Sequence, residues 1–155
     1  MQPTNNIGYL LQHLSFVLAR QSDQVLQEQL GIGFSQFKIM MVLQWDPSVQ
    51  QKYIADKLGQ TEASISRQIK LLHDDGMLTS VVRPENRREH ITRLTPKGER
   101  VIDKATEILN NYHAPVFSQL SSKQQEQLLE SLKVMHQFAC QTEHAGPFSN
   151  RKQTP

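Results

Sequence analysis

Gly59 stands between two short amphipathic stretches, and this placement restricts the fold more than any other feature of the sequence. Upstream, Ile54, Ala55 and Leu58 share one side of a helix that Ser48 and Gln51 would open as a capping box. Downstream, Thr61 is placed to cap a second helix with Ile65, Ile69 and Leu72 turned inward, and Gly76 closes it. Counted from Gln51, Ala55 is the fifth residue, Gly59 the ninth and Ile65 the fifteenth. Two helices crossing steeply over a short turn need a small residue at the crossing, a residue tolerant of positive φ in the turn, and a branched apolar anchor beneath the second helix. Ala55, Gly59 and Ile65 supply these in order, the pattern of a helix-turn-helix, with a chance helical hairpin as the competing reading.

The period of the apolar residues then changes. Leu78–Arg83 and Ile91–Thr95 are short β-branched segments on either side of Pro84-Glu85-Asn86-Arg87-Arg88-Glu89-His90, which predicts a hairpin with a long polar tip. Thr95-Pro96 reads as a helix start, threonine at the cap and proline in the first turn. Between Arg83 and Arg100 six basic residues face three acidic ones, a local excess of +3 on a chain whose formal net charge is only +2. A basic segment on a near-neutral body fits a module that meets phosphates at one place; a solvated charged hairpin fits equally on charge alone.

The second helix of the pair carries a distinctive outer side. With Ile65 at the centre of the buried face, a rotation of about 100° per residue puts Ala63, Arg67, Lys70 and Asp74 opposite, flanked by Thr61, Ser64 and Ser66. A helix entering the major groove needs short side chains where it approaches closely and donors that reach bases or phosphates. Arg67 is the candidate for a bidentate bond to a guanine, while Thr61, Ser64 and Ser66 suit phosphates or a thymine edge. An ordinary solvated face is the alternative. Asp74 and Asp75 oppose the helix dipole and are expected to point away from DNA.

The flanks are helical. Ile7, Leu10, Leu11, Leu14, Val17, Leu18 and Val25 recur at spacings of three and four, ending near Gly31-Ile32-Gly33. Ser35 is the expected cap of a second helix with Phe37, Met40, Met41 and Gln44 on one face, which Asp46-Pro47 stops. After the hairpin, Val101, Ala105, Ile108, Leu109 and Tyr112 form one stripe that Pro115 should kink or end. Ser122 with Gln125 reads as a capping box for a last helix with Leu128, Leu129, Leu132, Met135 and Phe138. The predicted fold is mainly α with a small β-hairpin wing. Residues 1–142 make one protomer, with the winged helix at about 34–98, flanking helices at about 5–30 and 100–142, and a disordered tail at 143–155.

The single cysteine, Cys140, excludes an intrachain disulfide and fits a reducing compartment. The polar start, Met1 to Asn6, lacks a signal-peptide pattern, and the longest apolar run, Ile39–Leu43, is far short of the roughly 20 residues of a membrane span. A cytoplasmic, soluble protein is therefore expected. His13, His73, His90, His113, His136 and His144 are scattered without metal-ligand spacing, so no metal or other cofactor is expected. No nucleophile–base pair or phosphate loop supports an enzyme.

Residues Gln51 to Arg100 resemble the MarR (multiple antibiotic resistance regulator) family, and with the flanking helices the resemblance extends over about Ile7 to Cys140. Its most specific part is the wing, where the family's Asp-x-Arg and Leu-Thr-x-x-Gly become Asn86-Arg87-Arg88 and Leu94-Thr95-Pro96-Lys97-Gly98. The resemblance implies a regulator, most often a repressor, that binds a pseudo-palindromic operator in double-stranded DNA as a homodimer. It implies that Arg88 enters the minor groove; Arg87 shares the basic tip that suits this groove, and Arg83 at the strand end is placed to hold the flanking phosphate. Asn86 replaces an aspartate that braces this arginine, so the wing would be looser or braced by Glu85 or Glu89.

The implied dimer joins first and last helices through Ile7, Leu10, Leu11, Leu14, Leu128, Leu132, Met135 and Phe138. The apolar stripes agree, being longer than a small winged domain can cover; packing onto the monomer's own core is the alternative. The resemblance also implies a small phenolic or amphipathic effector. His13, Phe16, Arg20, Phe37, Met41, Trp45 and Tyr112 lie on elements able to line its pocket, with plain core packing as the competing reading of each. Relatives that sense oxidants use a cysteine near the N-terminus, which this chain lacks. A winged-helix scaffold that binds protein without specific DNA binding is the remaining alternative.

Overall fold

The computed structural model describes residues 5–83 and 85–145, at the level of backbone alone for 83, 86–90 and 140–145. The elements run α1 (Ile7–Leu30), α2 (Phe34–Trp45), α3 (Gln51–Leu58), α4 (Glu62–Asp74), β1 (Leu78–Arg83), β2 (Asn86–Leu94), α5 (Pro96–Phe117) and α6 (Ser122–Ala145). The chain divides into two compact units, one up to Tyr112 and one from His113 onward, with the boundary inside α5.

The first unit is built around α2, which touches α1, α3, α4 and β2. Because neighbours surround it, its buried residues are Gln36, Phe37, Ile39, Met40 and Leu43 rather than one stripe. Met41 is half-buried, and Gln44, expected on the inner face, is exposed and donates to Asp103 of α5 at 2.9 Å. Val25 and Leu26 of α1, Ile54 and Ala55 of α3, Ile65, Ile69 and Leu72 of α4, and Ile102, Ala105, Ile108 and Leu109 of α5 close the same core.

Three helix starts differ from their sequence expectations. α2 begins at Phe34, not behind Ser35: the Gln36 side chain turns back to accept from Gly33 N at 2.8 Å, and Asp23 of α1 accepts from Phe34 N at 2.8 Å. These partners satisfy the free amides two residues earlier than a Ser35 cap would. α3 is preceded by Gln50, without a side-chain cap, while Ser48 takes a positive φ of 74°. That backbone sends Val49 into an isolated antiparallel bridge, Thr92 N donating to Val49 O at 3.1 Å. At α6 the box is Ser121 with Gln124, Ser121 N donating to the Gln124 side-chain Oε1 at 2.9 Å. α5 continues through Pro115, which sits in its last turn, so only one late ladder bond is lost. α6 extends to Ala145, three residues beyond the boundary expected at 142. The rest of the expected tail, 146–155, lies outside the described residues.

The hairpin pairs Leu78 with Leu94, Thr79 with Arg93, Ser80 with Thr92, Val81 with Ile91 and Val82 with His90. A register shift between Val82 and Arg83 then brings Arg83 opposite Asn86. Strand structure thus covers residues expected in a long polar tip, because the bulge absorbs the unequal strand lengths.

Thr92 is fully buried where β2 meets Val49, and its hydroxyl has no hydrogen-bond partner among the described residues. An unsatisfied buried hydroxyl costs roughly 1–3 kcal/mol, so Thr92→Val is expected to be neutral or to stabilise by about 1 kcal/mol in urea unfolding. A loss of that size would instead show that the hydroxyl is satisfied.

Candidate nucleic-acid interface

α3 and α4 form the helix-turn-helix. Ala55 is buried at the crossing, Gly59 adopts the left-handed conformation (φ 60°, ψ 35°), and Ile65 is wholly buried beneath α4. Gln60 N closes the turn on Ala55 O at 3.0 Å. Tyr53 of α3 donates its hydroxyl to Asp46 at the end of α2, with Lys57 Nζ 5.4 Å from its ring centre. The bond to that carboxylate raises the Tyr53 phenol above its ordinary range. This tie fixes α3 against α2 and was not visible as a pattern in the sequence.

The α4 surface is built from its cap outward. Thr61 caps the helix, its hydroxyl accepting from Ser64 N at 3.2 Å. Ser64 is half-buried, its hydroxyl 3.5 Å from the Gln60 side-chain Oε1, and Gln60 Nε2 donates to the Ser35 hydroxyl of α2 at 3.4 Å. Ser64 therefore belongs to the base of the helix rather than its outer face. Thr61, Ala63, Ser66, Arg67 and Lys70 are exposed to solvent, as the helical spacing indicates.

Asp74 lies where the rotation of α4 puts it, on the side opposite Ile65. Its carboxylate lies on the outer side and pairs with Lys70 at 2.7 Å, with both side chains exposed (75% for Lys70, 53% for Asp74). The Lys70 hydrogen bond holds the Asp74 carboxyl below the ordinary carboxylate range. His73 Nδ1 is 4.0 Å from the other carboxylate oxygen.

The wing follows directly on α4. Arg83 closes β1, and Arg87 and Arg88 lie near the start of β2; their side chains, like that of Asn86, lie outside the described residues. The root of the wing is a dense set of bonds. Thr95 N donates to Met77 O at 3.0 Å, the Thr95 hydroxyl to Gly76 O at 2.7 Å, and Lys97 Nζ to Asp75 O at 2.6 Å. Thr95 also caps α5 by accepting from Gly98 N at 3.1 Å. Lys97, although part of the basic segment, is thus engaged with the end of α4. Gly98 sits so close to the α4–β1 turn that a Cβ there would lie 2.1 Å from Met77 O. The Leu-Thr-Pro-Lys-Gly run joins the end of α4, the wing and α5 into one piece.

The remaining expected residues fall in two groups. Of those suggested for an effector pocket, Phe37 is a core residue stacked on Phe34, with ring centres 5.8 Å apart. His13, Phe16 and Arg20 on α1, Trp45 on α2 and Tyr112 on α5 are exposed, and His13 stacks on Tyr9 at 5.7 Å. Separately, a concavity of about 450 Å³ lies in the second unit, lined by apolar Phe117, Leu120, Leu128, Leu129 and Leu132; it contains none of the expected effector residues. Of those suggested for a dimer interface, Ile7, Leu10 and Leu14 are exposed and Leu11 half-buried in the first unit. Leu128, Leu132, Met135 and Phe138 are exposed in the second. The Cys140 side chain lies outside the described residues. Among the described residues no helix is long and apolar enough to cross a membrane, and no cluster of three or more acidic, His or Cys side chains could hold a metal.

A family model for a winged helix DNA-binding domain matches residues 36–113, half of the 155-residue chain. The chain is 23% identical over 105 residues to YdgJ, an uncharacterized HTH-type transcriptional regulator of Bacillus subtilis (strain 168). The match takes in 68% of this chain and only 64% of that relative's length. Among solved structures, apo MarR from E. coli superposes with a TM-score of 0.77 at 18% identity, covering 84% of this chain and 96% of that one. CouR from Rhodococcus jostii RHA1, solved bound to p-coumaroyl-CoA, superposes with a TM-score of 0.73 at 18% identity, covering 87% and 94%. The family model is that of a DNA-binding domain, and the fold is shared with both superposed structures. With the helix-turn-helix, the hairpin behind it and the matched family model in agreement, the chain belongs to the winged helix DNA-binding domain family and has the fold of the MarR structures.

Proposed function

We propose that this protein is a cytoplasmic homodimeric repressor that binds a pseudo-palindromic site in double-stranded DNA and is released by a small amphipathic or phenolic effector. The observation that carries the reading is the outer face of α4. Arg67 stands exposed beyond small and hydroxylic residues, on a helix capped by Thr61 and followed at once by a basic hairpin. A bare fork of donors flanked by short side chains suits a guanine edge in the major groove. Thr61, Ser66 and Lys70 fix register on phosphates, Ser64 supports the cap, and Arg83, Arg87 and Arg88 serve the adjacent minor groove.

The two-fold assembly is supported by apolar residues that a single chain leaves in water, with Ile7 at 73% and Phe138 at 70% exposure. Covering such stripes requires a partner, and the two-fold places half-sites about one helical turn apart. The effector reading draws on CouR, a structural neighbour solved with p-coumaroyl-CoA bound. The protomer organisation follows the sequence reading: flanking helices for assembly, residues 34–98 for DNA.

The test is fluorescence anisotropy with a duplex from the protein's own upstream region, against a random duplex of equal length, at moderate salt. Arg67→Ala and Arg88→Ala are each expected to weaken specific binding by about 1–3 kcal/mol. If no duplex binds more tightly than random DNA, the regulator reading gives way to a protein-binding winged helix.

A further inference from the structure

The Lys70–Asp74 pair is not explained by helix stability. In an i, i+4 ion pair the favourable order places the acid first, yet here Lys70 precedes Asp74. Asp74 is also the last residue of α4, where the helix dipole disfavours a negative charge. The pair is mostly exposed, and exposed pairs contribute little to folding. Its location is what stands out. It lies on the side of α4 opposite Ile65 and Ile69, the side that presents Arg67, and its bond is short at 2.7 Å.

We propose that Asp74 is an affinity-limiting residue of the DNA interface: it holds Lys70 as an internal counter-ion, and docking on duplex must exchange this carboxylate for a phosphate. The inference rests on the DNA-binding reading above. A lysine ammonium is a compact point charge that a carboxylate and a phosphate compete to approach. When the phosphate arrives, Asp74 is left close to a like charge, within a distance where surface electrostatics still act. The carboxylate therefore lowers affinity twice, by the pair that must open and by the repulsion that remains.

The test uses the full-length protein and anisotropy on both duplexes, specific and random. Asp74→Asn is expected to bind both roughly three- to tenfold more tightly at low salt, with the gain shrinking as salt rises. Asp74→Glu, which keeps the charge within reach of Lys70, is expected to bind like the parent. Lys70→Ala is expected to cost more affinity in the Asp74→Asn background than in the parent, because only the parent loses an ion pair on docking. The proposal is overturned if Asp74→Asn binds no more tightly than the parent, if Asp74→Glu behaves like Asp74→Asn, or if Lys70→Ala costs the same in both backgrounds. If the parent itself binds no duplex, the DNA reading falls and this inference with it; if the parent binds and the variants do not differ, only the inference falls.

Discussion

Replacing Met135 and Phe138 together by aspartate is expected to abolish the proposed dimer while leaving the protomer folded. Both side chains are exposed in the single chain, Phe138 at 70%, so the protomer does not need them for its own core. Along the part of α6 whose side chains are described, Ser122 to Ala139, no residue is buried. A 24-residue helix with Leu128, Leu129, Leu132, Val134, Met135 and Phe138 turned to water is a surface awaiting cover. Covering a large apolar side chain contributes about 1.5–3 kcal/mol. A two-fold interface counts every substitution twice. Four lost side chains therefore amount to on the order of 6 kcal/mol or more, about four orders of magnitude in the dimer dissociation constant. Sedimentation velocity should show a monomer, with helical content by circular dichroism close to that of the parent.

DNA binding should fall with the dimer, because the second half-site no longer engages at the high effective concentration that linkage provides. Deleting residues 1–20, which removes Ile7, Leu10, Leu11 and Leu14, is expected to give a monomeric or aggregated chain. A stable dimer in either variant would refute the proposed assembly.

The parts of this fold that depend on a few neighbouring residues were legible in the sequence. Gly59 announces a left-handed turn, Thr61 a cap and Thr95-Pro96 a helix start because each acts on amides within one turn of itself. The parts decided by distant residues were not. Ser35 looks like a cap, but Asp23, a helix away, takes the amide of Phe34 and moves the start. Ser48 looks like a cap, but pairing between Val49 and Thr92 on β2 commands the backbone there. Ser121 and Ser122 are each followed three residues on by a glutamine, so the pattern itself is degenerate; Gln125 instead donates to the backbone carbonyls of Phe117 and Leu120, and the first pair forms the box.

The same division holds at the candidate site. Periodicity separates Arg67 and Lys70 from Ile65 and Ile69, because exposure on a helix follows from its rotation. It also puts Asp74 on the outer side. The direct bond to Lys70 offsets the unfavourable position of this acid at the helix C-terminus. The Tyr53–Asp46 tie joins the end of one helix to the side of the next, and no spacing rule reports it.

Gly98→Ala is expected to be the most damaging single methyl group in the first unit. In the sequence this residue stands out only as the end of a family motif, whereas the structure supplies a reason unrelated to turn geometry. Its added Cβ would lie 2.1 Å from the Met77 carbonyl oxygen, far inside the about 3.5 Å at which nonbonded heavy atoms rest. The obstacle is backbone, so no side-chain rotation relieves it. The first turn of α5 must back away from the α4–β1 turn, and that movement strains the bonds Thr95 and Lys97 make to Met77, Gly76 and Asp75. Overpacking costs about 1–3 kcal/mol, and each weakened hydrogen bond about 1 kcal/mol more, so a total of about 4 kcal/mol is expected. For a chain of this size that corresponds to a fall in Tm of about 10 °C, compared at equal protein concentration. Gly59→Ala is the control. Its φ is 60° with open space around the added Cβ, so it carries backbone strain alone, about 1–2 kcal/mol. Because Gly98 also anchors the wing, its variant should lose DNA affinity at temperatures where it remains folded, whereas Gly59→Ala perturbs the turn before α4. A Gly98→Ala protein as stable as Gly59→Ala would mean that the wing root is looser than its bonds imply, and that the motif's glycine has some other cause.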